Sequence, residues 1–289
     1  MIQRILSETT ESKTEVPVTV VILTFNEQDT IGDCLRNVKS HFSDVIVLDS
    51  GSTDRTKEIV ADLKIPLFEN SFSGFGDQRN HAIDQLPHRY RWCLHLDADE
   101  RVNEKFVDAV NAAVTGEQQH SGFFVPNRLM LGDQWLRYSS GYPIYQVRLF
   151  DRERLRFINW GHGQREVTDG SLGYLSEPYD HHAFQKGLVH WMQKHAEYAA
   201  SEIEQNAPTS DHRVMNVLSR DGVVRRRAIK HMLQNAPMRG WLRMVYTLVL
   251  KRGILDGRAG WTYARMLRTY EEMYTTYRSA ARVGLNLRR

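Results

Sequence analysis

The sequence predicts an α/β fold, with a mostly parallel, doubly wound central sheet followed by an α-helical C-terminal extension. Three observations carry this reading. Short apolar runs alternate with helix-patterned segments over the first 115 residues or so, as a sheet with crossover helices requires. Polar and acidic residues stand where successive apolar runs end, at Thr24, Asp49, Asp97 and Asp99. From Arg213 onward the chain becomes basic, with 17 Lys and Arg against 4 Asp and Glu, a surplus of +13 within an overall net charge of +3.

The elements follow in order. Residues 1–16 are polar and read as a lead-in. Val18 to Leu23 is a near-continuous apolar run of the kind found in a central parallel strand. It ends at Thr24-Phe25-Asn26-Glu27, and a helix opens at Asp29 or Thr30 and runs to about Lys39. Val45 to Leu48 is a second strand, ending at Asp49-Ser50-Gly51-Ser52-Thr53-Asp54, with a second helix from about Thr53 to Leu63. Pro66 to Glu69 is a short third strand. The loop Ser73-Gly74-Phe75-Gly76 precedes a helix starting near Asp77. Arg91 to Leu96 is a fourth strand, which delivers Asp97-Ala98-Asp99-Glu100.

Past that point, a helix is expected from about Asn103 to Val114, with strands at Gly122–Val125 and Tyr145–Phe150. Residues 160–173, glycine-rich and polar, read as an active-site loop. Residues 184–206 read as a helix. Basic amphipathic helices follow from about residue 213. The expected division is a lead-in at 1–16, a catalytic domain at 17–210 and a basic helical extension at 211–289.

Composition narrows the class. Aromatic residues are plentiful, and 289 residues suffice for one large domain with an appendage. Cys34 and Cys93 have neither metal-site nor disulfide spacing, which fits a reducing cytoplasm. The sequence reads as having neither a secretory signal nor a membrane-spanning run of about 18 apolar residues.

Two carboxylates at i and i+2 of a strand end share a face. They repel unless a cation lies between them, and hard oxygen ligands suit Mg²⁺ or Mn²⁺ bound together with a substrate's phosphates. The bland alternative is an Asp-rich turn capping the next helix. Open α/β sheets bind ligands outside the carboxyl ends of their strands, and that is where Asp49, Asp97 and Asp99 fall.

Taken in order, Val20 to Glu27, Val47 to Asp54, Gln78-Arg79-Asn80 and Leu96 to Glu100 resemble the motifs of family-2 glycosyltransferases of GT-A fold. Within that family the chain is most similar to the lipopolysaccharide-core and envelope-polysaccharide glucosyltransferase group. The resemblance implies inverting transfer of a hexose from a nucleotide sugar, most simply a UDP-sugar, to a glycan or glycolipid acceptor, with Mn²⁺ or Mg²⁺ as cofactor. It implies Asp99 as a direct metal ligand, with Asp97 holding the donor ribose or supporting the metal. Thr24, Asn26, Glu27 and Asp49 would line the base-and-ribose pocket, although Asp49 also suits an Asx-turn.

Arg79 would pair with phosphate oxygens. Glu166, in Trp160-Gly161-His162-Gly163-Gln164-Arg165-Glu166, matches the family's base; relatives commonly carry His-Glu where this chain has Arg165-Glu166. Glu153 and Asp169 compete for that role. In Tyr179-Asp180-His181-His182, His182 rather than His181 would complete the metal site.

The basic segment 213–289, including Arg225-Arg226-Arg227 and interleaved aromatics, implies an anionic membrane partner. That gives a cytoplasmic protein, peripheral on the inner face of the membrane, with no nucleic acid expected. Two rival classes remain. A nucleotidyltransferase would want a glycine-rich basic loop where this chain has Thr24 to Glu27. A noncatalytic scaffold binding membrane or nucleic acid leaves the ordered acidic motifs unexplained.

Overall fold

The structure is a computed structural model, and it describes residues 15–116, 120–160, 163–205 and 238–287. The chain forms two compact units. One comprises residues 1–126 and 145–179, the other residues 127–144 and 180–289.

The first unit is built on a mostly parallel sheet. The strands of this sheet are β1 (Val18–Thr24), β2 (Asp44–Asp49), β3 (Leu67–Glu69), β4 (Trp92–Asp97), β5 (Glu100–Arg101), β6 (Gly122–Leu131), β8 (Ile144–Asp151), β11 (Leu172–Tyr174) and β12 (Tyr179–His181), of which the first unit holds residues 122–126 of β6, 145–151 of β8 and Tyr179 of β12. They lie in the order β3-β2-β1-β4-β8-β6-β12-β5, with β11 beside β6. Strands β3, β2, β1 and β4 are mutually parallel, whereas β8 runs antiparallel to β4. The helices α1 (Ile31–Lys39), α2 (Thr56–Asp62), α3 (Phe75–Gln85) and α4 (Glu104–Thr115) connect them. The α/β class and the parallel sheet are as the sequence predicts.

Val18, Val20 and Ile22 point to one face and pack with Ile31, Leu35 and Val38 of α1 and with Phe106 and Val110 of α4. Val21 points to the other face, with Ile46, Leu48 and Ala82 of α3. A strand buried on both faces explains the unbroken apolar run. Asn103 caps α4, its side-chain oxygen accepting from the Phe106 amide at 3.0 Å.

Several boundaries differ from the expectation. Helix α2 starts at Thr56 rather than Thr53, because residues 52–54 are held by side chains: the Thr53 amide donates to Asn26 Oδ1 at 2.8 Å and the Thr56 amide to Asp54 Oδ1 at 2.9 Å. Helix α3 begins at Phe75, two residues early, where Gly76 donates to Asn159 Oδ1 at 2.8 Å. The expected loop 160–173 is in part a β-hairpin, in which β9 (Arg156–Trp160) pairs antiparallel with β10 (Gly163–Val167). Its alternation of side chains was hidden by the flanking glycines.

In the second unit the end of β6 pairs with β7 (Gln134–Trp135). Helix α5 (Gly187–Gln205), α6 (Arg239–Val245) continued by a π-helical turn at Tyr246–Leu250, a 3-10 turn at Gly253–Asp256 and α7 (Gly257–Arg282) complete it. Asp256 is buried, and its carboxylate accepts from Ser139 N at 2.7 Å and Ser139 Oγ at 2.6 Å. The turn 253–260 is close-packed: a Cβ at Gly260 would lie 2.0 Å from the Gly253 oxygen, so glycine is required there. The helical C-terminal part expected from the sequence is present. Its segment 213–237, with Arg225-Arg226-Arg227, lies outside the described residues. No helix among the described residues is long and apolar enough to cross a membrane.

Candidate active site

The registers align the carboxyl ends of three parallel strands. Thr24 is opposite Asp49, and Leu23 is opposite Asp97. Thr24, Asp49 and the 97–100 turn therefore share one edge of the sheet, the edge at which open α/β sheets bind ligands.

Each residue at this edge is held differently. The Thr24 hydroxyl is buried and has no hydrogen-bond partner. Asn26 adopts φ 52°, a left-handed conformation that Asn tolerates better than most residues, and its amide donates to Ser52 Oγ at 2.7 Å. Glu27 Oε2 accepts from Thr30 Oγ1 at 2.5 Å, and the Glu27 amide donates to Thr56 Oγ1 at 2.7 Å. Asp49 is fully buried. Its Oδ1 accepts from the Gly51 and Ser52 amides at 2.9 and 2.7 Å, and its Oδ2 from Ser52 Oγ at 2.5 Å. This is the Asx-turn geometry, so Asp49 shapes the loop that follows β2.

Asp97 is 40% exposed and meets two buried arginines. Arg148 of β8 donates from Nη2 to Asp97 Oδ2 at 2.7 Å and to Glu100 Oε1 at 2.5 Å, and from Nε to the Tyr179 hydroxyl at 3.3 Å. Arg79 of α3 donates from Nη2 to Asp97 Oδ1 at 3.4 Å. Burial opposes both guanidinium charges. The Asp97 and Glu100 carboxylates more than offset it at Arg148, which is held well above the ordinary arginine value. At Arg79, burial and the neighbouring Arg148 prevail, and the pKa falls to about 10. Removing one partner from such a buried ionic set typically costs about 3–5 kcal/mol.

The sequence reading missed Arg148, Glu100 and Tyr179. A signal existed in the arginine between Val147 and Leu149 of an apolar strand, since a charge in a core strand needs a buried counter-ion.

The acidic turn is fixed from outside as well. The Asp97 amide donates to Glu100 Oε2 at 2.9 Å, Asn37 bonds both backbone groups of Val102, and Arg101 Nη2 donates to the Thr30 oxygen at 2.9 Å. Asp99 sits half-buried within this turn.

The Gln78-Arg79-Asn80 triplet sends its side chains to three places. Gln78 Nε2 donates to Ser50 Oγ at 3.1 Å. Arg79, 2% exposed, lies under Asp97 with its Nε and Nη1 unpartnered and with the Phe157 ring 5.8 Å from Cζ. Asn80 donates to the Phe157 oxygen at 2.7 Å and accepts from the Phe157 amide at 2.9 Å, clamping β9 onto α3.

Glu166 is directly opposite Phe157 in the hairpin. Opposed residues of an antiparallel pair share a face, so Glu166 projects on the same hairpin face as the Phe157 ring that abuts Arg79. Its rivals lie elsewhere. Glu153 pairs with Arg91 at 3.5 Å, beside the amino end of β4. Asp169 follows Thr168, whose hydroxyl donates to the Arg154 oxygen at 2.8 Å, at that same far end. His181 and His182 belong to the second unit, at the end of β12 and just after it.

His95 of β4 is fully buried, and neither ring nitrogen has a partner. Its ring centroid is 4.7 Å from that of Phe150. Burial, reinforced by Arg79, holds its pKa well below the usual histidine value. The folded protein thus keeps His95 neutral while the unfolded chain protonates it below about pH 6.5. Stability is therefore retained above that pH and lost as pH falls through it, with a limiting slope of about 1.4 kcal/mol per pH unit. His95→Leu is expected to flatten the acid limb of urea-unfolding stability between pH 6.5 and 5 relative to wild type. Parallel curves for the two proteins would show that His95 does not carry the proton.

The donor chemistry suits a divalent ion. Mg²⁺ and Mn²⁺ take one or two carboxylates together with substrate phosphates rather than an all-protein cage. Among the described residues no group of three or more His, Cys, Asp or Glu is assembled as a metal cage. Asp97 is engaged by Arg148 and Arg79, and Asp99 stands two residues further on in the same turn. Both cysteines are buried free thiols, their pKa values pushed up to about 12 by burial.

Comparison with known proteins bears on the family of the chain. The chain is 24% identical over 159 residues to the lipopolysaccharide core biosynthesis glycosyltransferase LpsC of Rhizobium meliloti, covering 53% of this chain and 55% of LpsC. It is 26% identical over 168 residues to the glycosyltransferase AglJ of Haloferax volcanii, covering 56% and 51%. It thus spans about half the length of the curated relatives it matches. Among solved structures, S. aureus TarS 1-349 aligns over 94% of this chain and 93% of its own, at 16% identity and a TM-score of 0.42. Glucosyl-3-phosphoglycerate synthase from Mycobacterium tuberculosis, in complex with Mn²⁺ and UDP-Glc, aligns over 68% and 82%, at 16% identity and a TM-score of 0.42. Residues 19–179, more than half of the chain, match the model of glycosyl transferase family 2, and the chain belongs to that family.

Proposed function

We propose that this chain is a metal-dependent, inverting hexosyltransferase that uses a nucleotide sugar, most simply a UDP-sugar, and a glycan or lipid-linked acceptor in cell-envelope polysaccharide assembly. The observation that carries the reading is the Asp97-Ala98-Asp99 turn at the carboxyl edge of β1, β2 and β4, with Asp97 fixed by Arg148 and Arg79. The similarity to LpsC supports the envelope setting. Residues 17–210 form the catalytic module in this reading, and 211–289 the extension that serves it at a cytoplasmic membrane face.

The residues divide the work. The buried, unpartnered Thr24 hydroxyl, with Asn26, Glu27 and Asp49 shaping the adjacent loops, receives the base and ribose. Asp97, paired with Arg148 and Arg79, accepts from a ribose hydroxyl. Arg79 places positive charge behind the donor phosphates. Asp99 would hold a Mn²⁺ or Mg²⁺ ion, and the assignment of His182 as a further ligand rests on the resemblance alone. When bound, the ion supplies Lewis-acid stabilisation of the departing diphosphate.

Glu166 takes the proton from the acceptor hydroxyl as that oxygen attacks the anomeric carbon. The bond from the anomeric carbon to the donor phosphate oxygen breaks, and the nucleoside diphosphate leaves with the electron pair. One displacement of this kind inverts the anomeric centre.

The test is a screen of nucleotide sugars with Mn²⁺. A true donor at about 100 times its Kd should stabilise the protein by about 2.7 kcal/mol, and the same donor should release nucleoside diphosphate on turnover. Release of pyrophosphate would mark a nucleotidyltransferase instead, and no stabilisation by any nucleotide sugar would overturn the proposal.

A further inference from the structure

The second unit carries an apolar surface that the catalytic reading does not use. Helix α6 and the π-helical turn that continues it bury Met244 and Leu248 against Ala264 of α7. The opposite face is apolar too. Trp241, Leu242, Val245, Tyr246, Val249 and Leu250 are all exposed, Val249 at 64% and Leu250 at 74%. Their spacing of one and three residues is that of a single helix face. Ile254 and Leu255, in the 3-10 turn, extend the exposed set at 55% and 62%. A helix with one buried and one exposed apolar face, rather than a polar outer face, marks an interaction surface.

The charge around this face selects the partner. Asp256 is the one acidic residue in 238–258, and it is buried beneath the surface, engaged by Ser139. Arg252 and Arg258 are exposed. Arg268 stacks on Trp241 with its Cζ 3.7 Å from the ring centroid, and Arg243 lies 5.8 Å from the Tyr246 ring centroid. Apolar side chains, aromatic rings with polar edges and flanking guanidinium groups match the depth profile of an anionic bilayer surface, and the exposed Glu272 carboxylate nearby is paired with Arg268 at 2.6 Å.

We propose that residues 238–258 lie in the lipid interface, with Val249, Leu250, Ile254 and Leu255 inserted among the acyl chains and Arg252 and Arg258 at the headgroups. This deepens the membrane part of the proposed function and rests on it only for the acceptor's location; the binding it describes needs no turnover. It also changes the expected physics. Binding through the basic extension alone is screened by salt, whereas an inserted apolar face leaves a salt-resistant component.

The test uses the full chain and vesicles of phosphatidylcholine and phosphatidylglycerol in equal parts. Wild type should sediment with these vesicles, retain a bound fraction in 1 M NaCl, and show tryptophan quenching by brominated acyl chains. Leu242→Glu combined with Val249→Glu and Leu250→Glu should weaken binding at least tenfold and abolish the salt-resistant fraction and the quenching, with an unchanged melting temperature. Complete release by salt, without quenching, would overturn insertion. Vesicle binding unchanged in the triple variant would overturn it too, whether the variant instead lost thermal stability, showing that another segment of the chain covers this face, or dissociated an oligomer, showing that a second copy does. Loss of vesicle binding with donor turnover intact would support insertion independently of the active-site reading, and loss of turnover with vesicle binding intact would count against that reading alone.

Discussion

Asp99→Ala is expected to lower sugar transfer by about 10³-fold or more and to abolish the Mn²⁺-dependent stabilisation by nucleotide sugar. Lewis-acid stabilisation of a leaving diphosphate supplies several kcal/mol, and each 1.36 kcal/mol is a factor of ten in rate. The fold should survive the change. The turn that carries Asp99 is held by other groups, namely Glu100 on the Asp97 amide, Asn37 on Val102, and Arg148 on Asp97 and Glu100. Those bonds remain when the Asp99 carboxylate is removed, so the variant is expected to keep its fold with no more than the ordinary stability loss of a point substitution. The measurement is a pair of titrations, donor stabilisation against Mn²⁺ and transfer against Mn²⁺, on variant and wild type. Normal turnover by Asp99→Ala, or full wild-type activity in EDTA, would remove the metal from the reaction.

Glu166→Gln should leave donor binding intact and reduce transfer by about 10²–10⁴-fold, the usual share of general-base catalysis. Glutamine keeps the shape and loses the proton acceptor, so KM for donor should hold while kcat falls. The hairpin itself is secured elsewhere. Asn80 clamps the Phe157 backbone, and Asn159 accepts from Gly76 and donates to Asp77 at 2.9 Å. A structural failure would therefore appear as lost donor stabilisation, which separates it from a chemical one. Transfer at the wild-type rate by this variant would move the base to another carboxylate. The positions of Glu153 and Asp169, toward the amino end of β4, make them poor successors.

Much of this site was legible in the sequence because its signals are local. Apolar runs of strand length, each ended by Thr24, Asp49 or Asp97, encode both the strands and the edge where they stop. Asn26 and Asp49 belong to turns whose chemistry involves nearby residues and one neighbouring loop. The hairpin β9–β10 was less legible. Two glycines and a polar composition disguised its alternation, and its stability comes from α3, to which Asn80 binds it across 77 positions.

The strand and helix alternation, the order of the acidic motifs and the basic character of the C-terminal region can be read from the chain directly, since periodicity, strand-end punctuation and charge are properties of contiguous residues. The partner of Asp97 emerges only on folding, because Arg148 is 51 positions away and becomes its neighbour through the antiparallel pairing of β8 with β4. Register likewise decided that Glu166 shares a face with Phe157. The same holds for the segment 238–250, which is apolar around most of its circumference. Its pattern cannot say which face is buried until Met244 and Leu248 find Ala264 and leave the other face to solvent.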